Sequence, residues 1–208
     1  ILSFLSQYRR NMTIEYYTCE DDEEKIMGVQ ISEAPIKYLL KYAQTSGNNI
    51  TDVICILTRD VSDTQLAALI GRVNNTYDRY FRSSIIYPYC GEGLKRNGEI
   101  VEEGLHYPLF PRVHFVEYDP KAEKTNEALS LCEKIREVLD GADKFDLYVD
   151  YTAESRDVSD LMPVILRYLE VCGGEVRKAV CADAEEKKIS SIDHLSQVTK
   201  ICAAAEEF

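Results

Sequence analysis

Nowhere in this chain does an apolar run approach the ~20 residues that a membrane-crossing helix needs. Nor does a basic segment lead into a short hydrophobic stretch, the mark of a secretion signal. The chain therefore reads as cytoplasmic, with no membrane among its partners. Basic residues are also in deficit. Lys and Arg total 24 against 36 Asp and Glu, for a formal net charge of −12 over 208 residues. That excludes a broad surface for long nucleic acid, which requires a basic field. It leaves room for one focused anion pocket made of backbone N–H groups and a few arginines. Much of the negative charge is local, in Glu20-Asp21-Asp22-Glu23-Glu24 and Glu185-Glu186, and these runs read as solvated turns.

Cysteine pairing is missing as well. The seven cysteines, at 19, 55, 90, 132, 172, 181 and 202, include no C-x-x-C pair, so neither a zinc site nor a thioredoxin-type motif is supported. Most fall at apolar-patterned positions and read as reduced, buried thiols. No metal and no cofactor is expected. There is no internal repeat and no low-complexity linker. Ile1 is not a natural start residue, so the sequence is expected to be a fragment of a longer protein.

What is present is an alternation of strand and helix signals. Ile1 to Leu5 is strand-like. Met12 to Cys19 and Lys25 to Ile31 suit a hairpin closed by the acidic run. Ser32-Glu33-Ala34-Pro35 opens a helix with Ile36, Leu39, Leu40 and Ala43 on one face, stopped at Ser46-Gly47. Val53 to Leu57 is nearly all apolar, as a strand inside a parallel sheet should be. Ser62 and Gln65 form a capping box for a helix from Leu66 to Phe81. Residues 83–112 are the least regular part: Arg96-Asn97-Gly98-Glu99 predicts a tight hairpin turn, while Pro88, Pro108 and Pro111 argue against helix. A connection of that length reads as an insertion, lid or dimer arm.

Val113 to Val116 is another strand. A helix over 126–139 is predicted to bury Leu129, Cys132, Ile135, Val138 and Leu139. Phe145 to Val149 is a buried strand, and helical spacing follows at Val158, Leu161, Met162, Ile165, Leu166, Leu169 and Cys172. Pro163 inside it predicts a kink or a late start, and Gly173-Gly174 a stop. Val176 to Cys181, a short strand near Ile189 and a last helix complete the chain. The expected fold is α/β, a single domain over 1–208. It is a Rossmann-like three-layer arrangement, a mostly parallel sheet with helices on both faces and a β-hairpin insertion.

Such a fold binds ligands beyond the carboxyl ends of its strands, and there the sequence concentrates polar chemistry. Tyr148-Val149-Asp150-Tyr151-Thr152-Ala153-Glu154-Ser155-Arg156-Asp157 turns from strand to helix. The first N–H groups of a helix point outward with partial positive charge and suit phosphate. Thr152 can donate and accept hydrogen bonds, and Arg156 offers a guanidinium fork for a phosphate or a purine edge. Asp150 is better suited to fixing the loop by accepting backbone N–H bonds. The same spacing fits a plain structural role equally well, with Asp150 and Thr152 as turn residues and Arg156 paired to Asp157 or Asp160.

This stretch, with Ile165-Leu166-Arg167-Tyr168-Leu169-Glu170 after it, resembles the CRISPR-associated Rossmann fold (CARF) family. That family carries Asp/Asn-x-Ser/Thr-x-x-x-Arg/Lys after a late core strand, and Asp150, Thr152 and Arg156 stand in that register. Ile1-Leu2-Ser3-Phe4-Leu5-Ser6 looks like the family's first strand and ligand loop, and the hairpin at Tyr16-Tyr17 follows in the family's order. The resemblance implies a sensor of cyclic oligoadenylates, the second messengers of type III CRISPR antiviral defence. A four-adenylate ring is favoured and a six-adenylate ring is the alternative. It implies a homodimer, since a two-fold ligand suits a two-fold partner. By carry-over the ligand-binding residues are Ser6, Gln7 and Tyr8 on the first loop and Thr152, Ala153, Glu154 and Arg156 on the second. Thr58, which ends a neighbouring strand, is a further candidate, and Asp150 is the loop-structuring residue. The chain departs from close relatives at Ser6, Ala153 and Glu154, where glycine is common.

The family usually fuses its sensor to an effector domain, and none is visible in this chain. Its common ribonuclease partner carries Arg-x-x-x-x-His. None of His106, His114 and His194 has an arginine five residues before it, and all three read as surface or packing residues. No catalytic residue is assigned. The leading expectation is a regulatory, allosteric sensor module. The alternative is a ring nuclease that cleaves its own cyclic ligand, with Thr152, Arg156 and Tyr8 positioning a ribose hydroxyl in line with phosphorus. A nucleotide-dependent α/β enzyme ranks last, because a P-loop and a complete glycine fingerprint are both missing.

Overall fold

The computed structural model describes residues 1–5, 14–20, 22–28, 32–58, 81–119, 123–152 and 160–193. Strands β1 (Leu2–Leu5), β4 (Asp52–Thr58), β7 (Arg112–Tyr118), β8 (Phe145–Asp150) and β9 (Gly174–Asp183) lie in the order β9-β8-β1-β4-β7, every neighbouring pair parallel. Leu2 pairs with Ile54 on one side and Val149 on the other, and Ser3 with Cys55 and Asp150. A central strand like this has no solvent face, which is why Leu-Ser-Phe-Leu is buried throughout. Outward from β1, the chain first builds β4 and β7 on one side. It then crosses back to build β8 and β9 on the other. The direction of winding therefore reverses between β1 and β8, the hallmark of a Rossmann-like sheet.

Three strands widen the sheet past β9. β10 (Lys188–Ser191) runs antiparallel to β9 and parallel to β2 (Glu15–Cys19), and β2 forms a hairpin with β3 (Asp22–Gly28). The expectation of a turn over the whole acidic run is corrected here, because Asp22-Glu23-Glu24 already belong to β3. Asp22 pairs with Cys19 and Lys25 with Thr18, so Glu23 and Glu24 continue the strand across a register shift between those two pairs.

Helix α1 (Glu33–Thr45) covers one face. Its Ile36, Leu39, Leu40 and Ala43 pack with Val53, Cys55, Tyr148, Val180 and Ala182. The opposite face is buried under two further helices. Burying each Leu or Ile is worth roughly 1.5–3 kcal/mol, so two such layers give the sheet its hold on both sides. The predicted helix from Leu66 to Phe81 lies outside the described residues except for Phe81 itself, which opens a π-helical turn, and residues 194–208 of the predicted last helix lie outside them too.

Residues 81–111 leave the sheet between β4 and β7. The expectation that Pro88 keeps this region free of helix is overturned. A π-helical turn, Phe81–Ile86, runs directly into α2 (Tyr87–Cys90). Pro88 sits at the start of α2, directly after the π-helical turn, where its fixed φ suits the helix. Then β5 (Gly93–Arg96) and β6 (Glu99–Glu103) form the predicted hairpin as a separate two-stranded sheet. Asn97 and Gly98 at its tip have φ of 52° and 86°, the paired left-handed residues of a type I′ turn. The hairpin is pinned back by charge. Lys37 of α1, fully buried, reaches Glu33 at 3.1 Å, Glu102 of β6 at 2.6 Å and the carbonyl of Met27 at 2.9 Å.

On the far face lie α3 (Lys124–Val138) and α4 (Leu161–Val171). Ala128, Leu131, Cys132 and Ile135 of α3 join Leu161, Met162, Ile165, Leu166 and Leu169 of α4 over Leu2, Phe4, Ile54, Ile56, Leu147 and Val149. Leu129, predicted to be buried, is instead 54% exposed. Cys132 and Ile135 are buried and Val138 and Leu139 pack against the same core as predicted, while Ala128 and Leu131 take the place of Leu129. Pro163 is the third residue of α4, so the predicted late start is what occurs. Gly173 ends it with φ +99° and a backbone so close to Asp143 that a Cβ would lie 1.9 Å from that carbonyl oxygen, a position only glycine fits. No helix among the described residues is long and apolar enough to cross a membrane.

Candidate functional site

In α/β sheets ligands bind beyond the strand ends at a winding reversal, which here lies between β1 and β8. The residue closing β8 is Asp150, and opposite it in the β1 ladder is Ser3. Neither has exposed surface. The Ser3 hydroxyl donates to Asp150 Oδ2 at 2.7 Å, joining two strands that are 147 residues apart in the chain. Asp150 Oδ1 accepts the N–H of Thr152 at 2.8 Å, an Asx turn that fixes the first step out of the strand.

The chain stays locked to β9 for two residues after β8 ends. Tyr151 donates its N–H to the Val180 carbonyl at 2.8 Å, and the Thr152 hydroxyl oxygen accepts the Ala182 N–H at 2.8 Å. Thr152 is only 3% exposed, so its side chain is committed to the wall rather than extended into open space. At the end of β1, the Phe4 carbonyl accepts the buried Ser32 hydroxyl at 3.1 Å, tying the residue before α1 to the same edge. Thr58 is the last paired residue of β4, opposite Tyr118, and brings a third strand end to that edge.

Burial dominates the electrostatics. It pushes the Asp150 carboxyl up to about 7, against hydrogen bonds from Thr152 and Ser3 that pull it down. Both of those donors are neutral, so they offset only part of what it costs to bury a charge. Burial also raises the Cys181 thiol on β9 and the Cys55 thiol on β4, each further raised by the charge of Asp150. Ser3, Asp150 and Thr152 thus form a dry, hydrogen-bonded floor of one carboxyl and two hydroxyls.

Of the sequence-predicted site residues, the structure brings together Asp150 and Thr152, with Thr58 ending β4 along the same edge of the sheet. Ser6, Gln7, Tyr8, Ala153, Glu154 and Arg156 lie outside the described residues. Ser3 was missed. The available signal was a lone hydroxyl inside an otherwise apolar central strand, whose burial demands a polar partner. Among the described residues no three His, Cys, Asp or Glu side chains converge to hold a metal ion.

A second polar cluster occupies the opposite end of the sheet. Asp52 opens β4 and meets Arg112 Nε at 2.9 Å and His114 Nε2 at 2.8 Å, both on β7. Its contacts are thus closed by ion pairing. Lys178 of β9 is likewise engaged, with Ser191 Oγ and Asp193 Oδ2 each at 3.0 Å. A cation held 3.0 Å from a carboxylate is a poor proton acceptor, so the Ser191–Lys178 contact is structural and not a nucleophile with its base. His106 is exposed. The chain matches no protein-family model and no curated protein.

Proposed function

We propose that the chain is a ligand-sensing regulatory module of the CARF type. It would bind a cyclic oligoadenylate, cyclic tetraadenylate first, across a homodimer and thereby control a fused antiviral effector. The observation that carries this reading is the Ser3–Asp150–Thr152 network at the winding reversal. It immobilises the start of the segment holding the Asp150, Thr152 and Arg156 pattern, beside the end of the first strand. Pre-ordering a loop lowers the entropy lost when a ligand binds. The amides of Tyr151 and Thr152 are taken by Val180 and Asp150. This reading therefore assigns the phosphates to the segment from Ala153 onward, with Arg156 at phosphate or base and Ser6, Gln7 and Tyr8 completing the pocket.

The test is to incubate the purified chain with cyclic tri-, tetra- and hexaadenylate, measuring binding by calorimetry and products by chromatography over hours. Binding without products supports the sensor. Linear products or 2′,3′-cyclic phosphates would make it a ring nuclease instead, and no binding to any ring overturns both. Arg156→Ala should weaken ring binding by at least ~1.5 kcal/mol, the lower range for a hydrogen bond to a charged group. Unchanged affinity in a folded variant would remove Arg156 from the pocket.

A further inference from the structure

A carboxyl group sealed at the floor of an anion crevice has a consequence for how that crevice fills. The step beyond rests on the anion-binding reading above and concerns its regulation. Asp150 is completely buried, and the donors to its carboxyl are the Ser3 hydroxyl and the hydroxyl and amide of Thr152, all neutral. The Ser3 hydroxyl also has a second acceptor in reach, the Phe4 carbonyl at 3.4 Å.

The cluster therefore has two self-consistent hydrogen-bond patterns. With Asp150 charged, Ser3 donates to Oδ2 and Thr152 donates to Oδ1. With Asp150 neutral, its Oδ2–H donates to Ser3 Oγ, whose own proton turns to the Phe4 carbonyl, while Oδ1 still accepts from Thr152. Neither pattern strands a buried polar group, so a proton can come and go without moving the backbone.

The groups facing Asp150 do not fix its charge. The thiols of Cys55 on β4 and Cys181 on β9 are raised by its charge and do not shift it, and Cys55 is also acted on by Arg82 and the amino group of Ile1. On the α1 side, Lys37 is bonded to Glu33, Glu102 and Met27, and Lys178 of β9 to Ser191 and Asp193.

We infer that the crevice takes up a proton on Asp150 when it takes up its phosphodiester ligand, so that occupancy is coupled to pH. Negative charge arriving at the ends of β1 and β8 disfavours a second negative charge in the dry floor beneath it. Linkage then makes the proton favour the ligand as much as the ligand favours the proton. Burial already holds the carboxyl at about 7, so the coupling falls in the physiological range.

The experiment is calorimetry of wild type and Asp150→Asn with cyclic tetraadenylate between about pH 6.5 and 8.5, in buffers of low and high ionisation heat. Wild type should take up a fraction of a proton, rising towards one. Its affinity should fall with pH above about 7, by at most about tenfold per unit. Asp150→Asn reproduces the neutral pattern, its carbonyl accepting from Thr152 and its amide donating to Ser3. It should bind without proton uptake and with affinity independent of pH. Wild-type binding without proton uptake overturns the inference, as does a pH slope retained in Asp150→Asn.

A ligand-free arm separates this inference from the functional reading. In thermal denaturation, the stability difference between the two proteins should change across the range from about pH 4 to 8. Parallel curves would show that Asp150 does not titrate there and overturn the inference even where rings bind. Diverging curves with no binding to any ring would overturn the functional reading, and with it the coupling to a ring.

Discussion

Asp52 and Asp150 sit at opposite ends of β4 and β8, two strands separated only by β1, and the protein treats the same side chain in opposite ways. Asp52 is partly exposed. Burial raises its pKa, but hydrogen bonds from Arg112 and His114 outweigh that and hold the carboxyl below the ordinary carboxylate range. Asp150 is sealed in, meets only neutral donors at its oxygens, and is pushed up to about 7. The lesson is that the kind of donor decides whether burial wins. A guanidinium at a wet edge keeps a carboxylate ionised, whereas hydroxyls and an amide in a dry interior leave it close to neutrality. One end of the sheet is closed by ion pairing, and the other keeps a carboxyl free to titrate.

A third arrangement tests this contrast and carries the largest expected effect. Glu33 is nearly as buried as Asp150 and Glu102 is partly buried, and they share the ammonium group of Lys37. Burial still raises the Glu102 pKa, although Lys37 pulls it down. Lys37→Met removes the cation that the two glutamates share. We expect a loss of about 3–5 kcal/mol in urea denaturation near neutral pH. We also expect partial recovery in acid, as the stranded carboxylates protonate. A loss below about 1 kcal/mol would mean the glutamates find water, and buried charge would not explain the contrast.

Next in size is the ligand-free behaviour of Asp150→Asn. From near 3.8 up to about 7 the unfolded chain has released this proton while the folded chain still holds it. Wild-type stability therefore falls as pH rises through that window and levels off above it. Asp150→Asn escapes this loss. It should gain on wild type by roughly 2–4 kcal/mol between acid and pH 8, read from denaturation midpoints at each pH. A flat difference would make the two aspartates alike and dissolve the comparison.

The elements beneath these sites were largely legible in the sequence, because buried strands read as unbroken apolar runs and glycine and proline punctuate the helices. β4, β8 and the stripe of α4 follow directly from such patterns. Pro88 misled because a proline reads as a breaker unless its position within a helical turn is known. Leu129 misled because hydrophobic spacing alone does not fix the rotation of a helix whose neighbours include buried alanine. The polar floor was half legible. Asp150 and Thr152 lie two residues apart at a strand-to-helix switch, a local signal. Ser3 joins them only through the β1–β8 ladder, and Asp52 meets Arg112 and His114 only through the β4–β7 register. Partners set by sheet register leave no mark in local spacing.

The smallest effects lie at the ion-paired end and show how much of its electrostatics survives solvent. Because the Asp52 pKa is depressed, its pairing stabilises the fold above the unfolded carboxylate value of 3.8 and is lost as pH falls through the lower folded value. Asp52→Asn should therefore cost about 1 kcal/mol near neutral pH, already discounted for solvent screening. The cost should disappear in strong acid, the mirror image of Asp150→Asn. Arg112→Ala should matter less still, since Arg112 is 68% exposed and His114 remains on the same carboxylate oxygen. Its shift in melting temperature should shrink further in ~1 M salt, where the screening length falls to about 3 Å. A large, salt-insensitive loss in Arg112→Ala would show that this end is as dry as the floor at Asp150. The opposite shifts of the two aspartates would then need a cause other than solvent access.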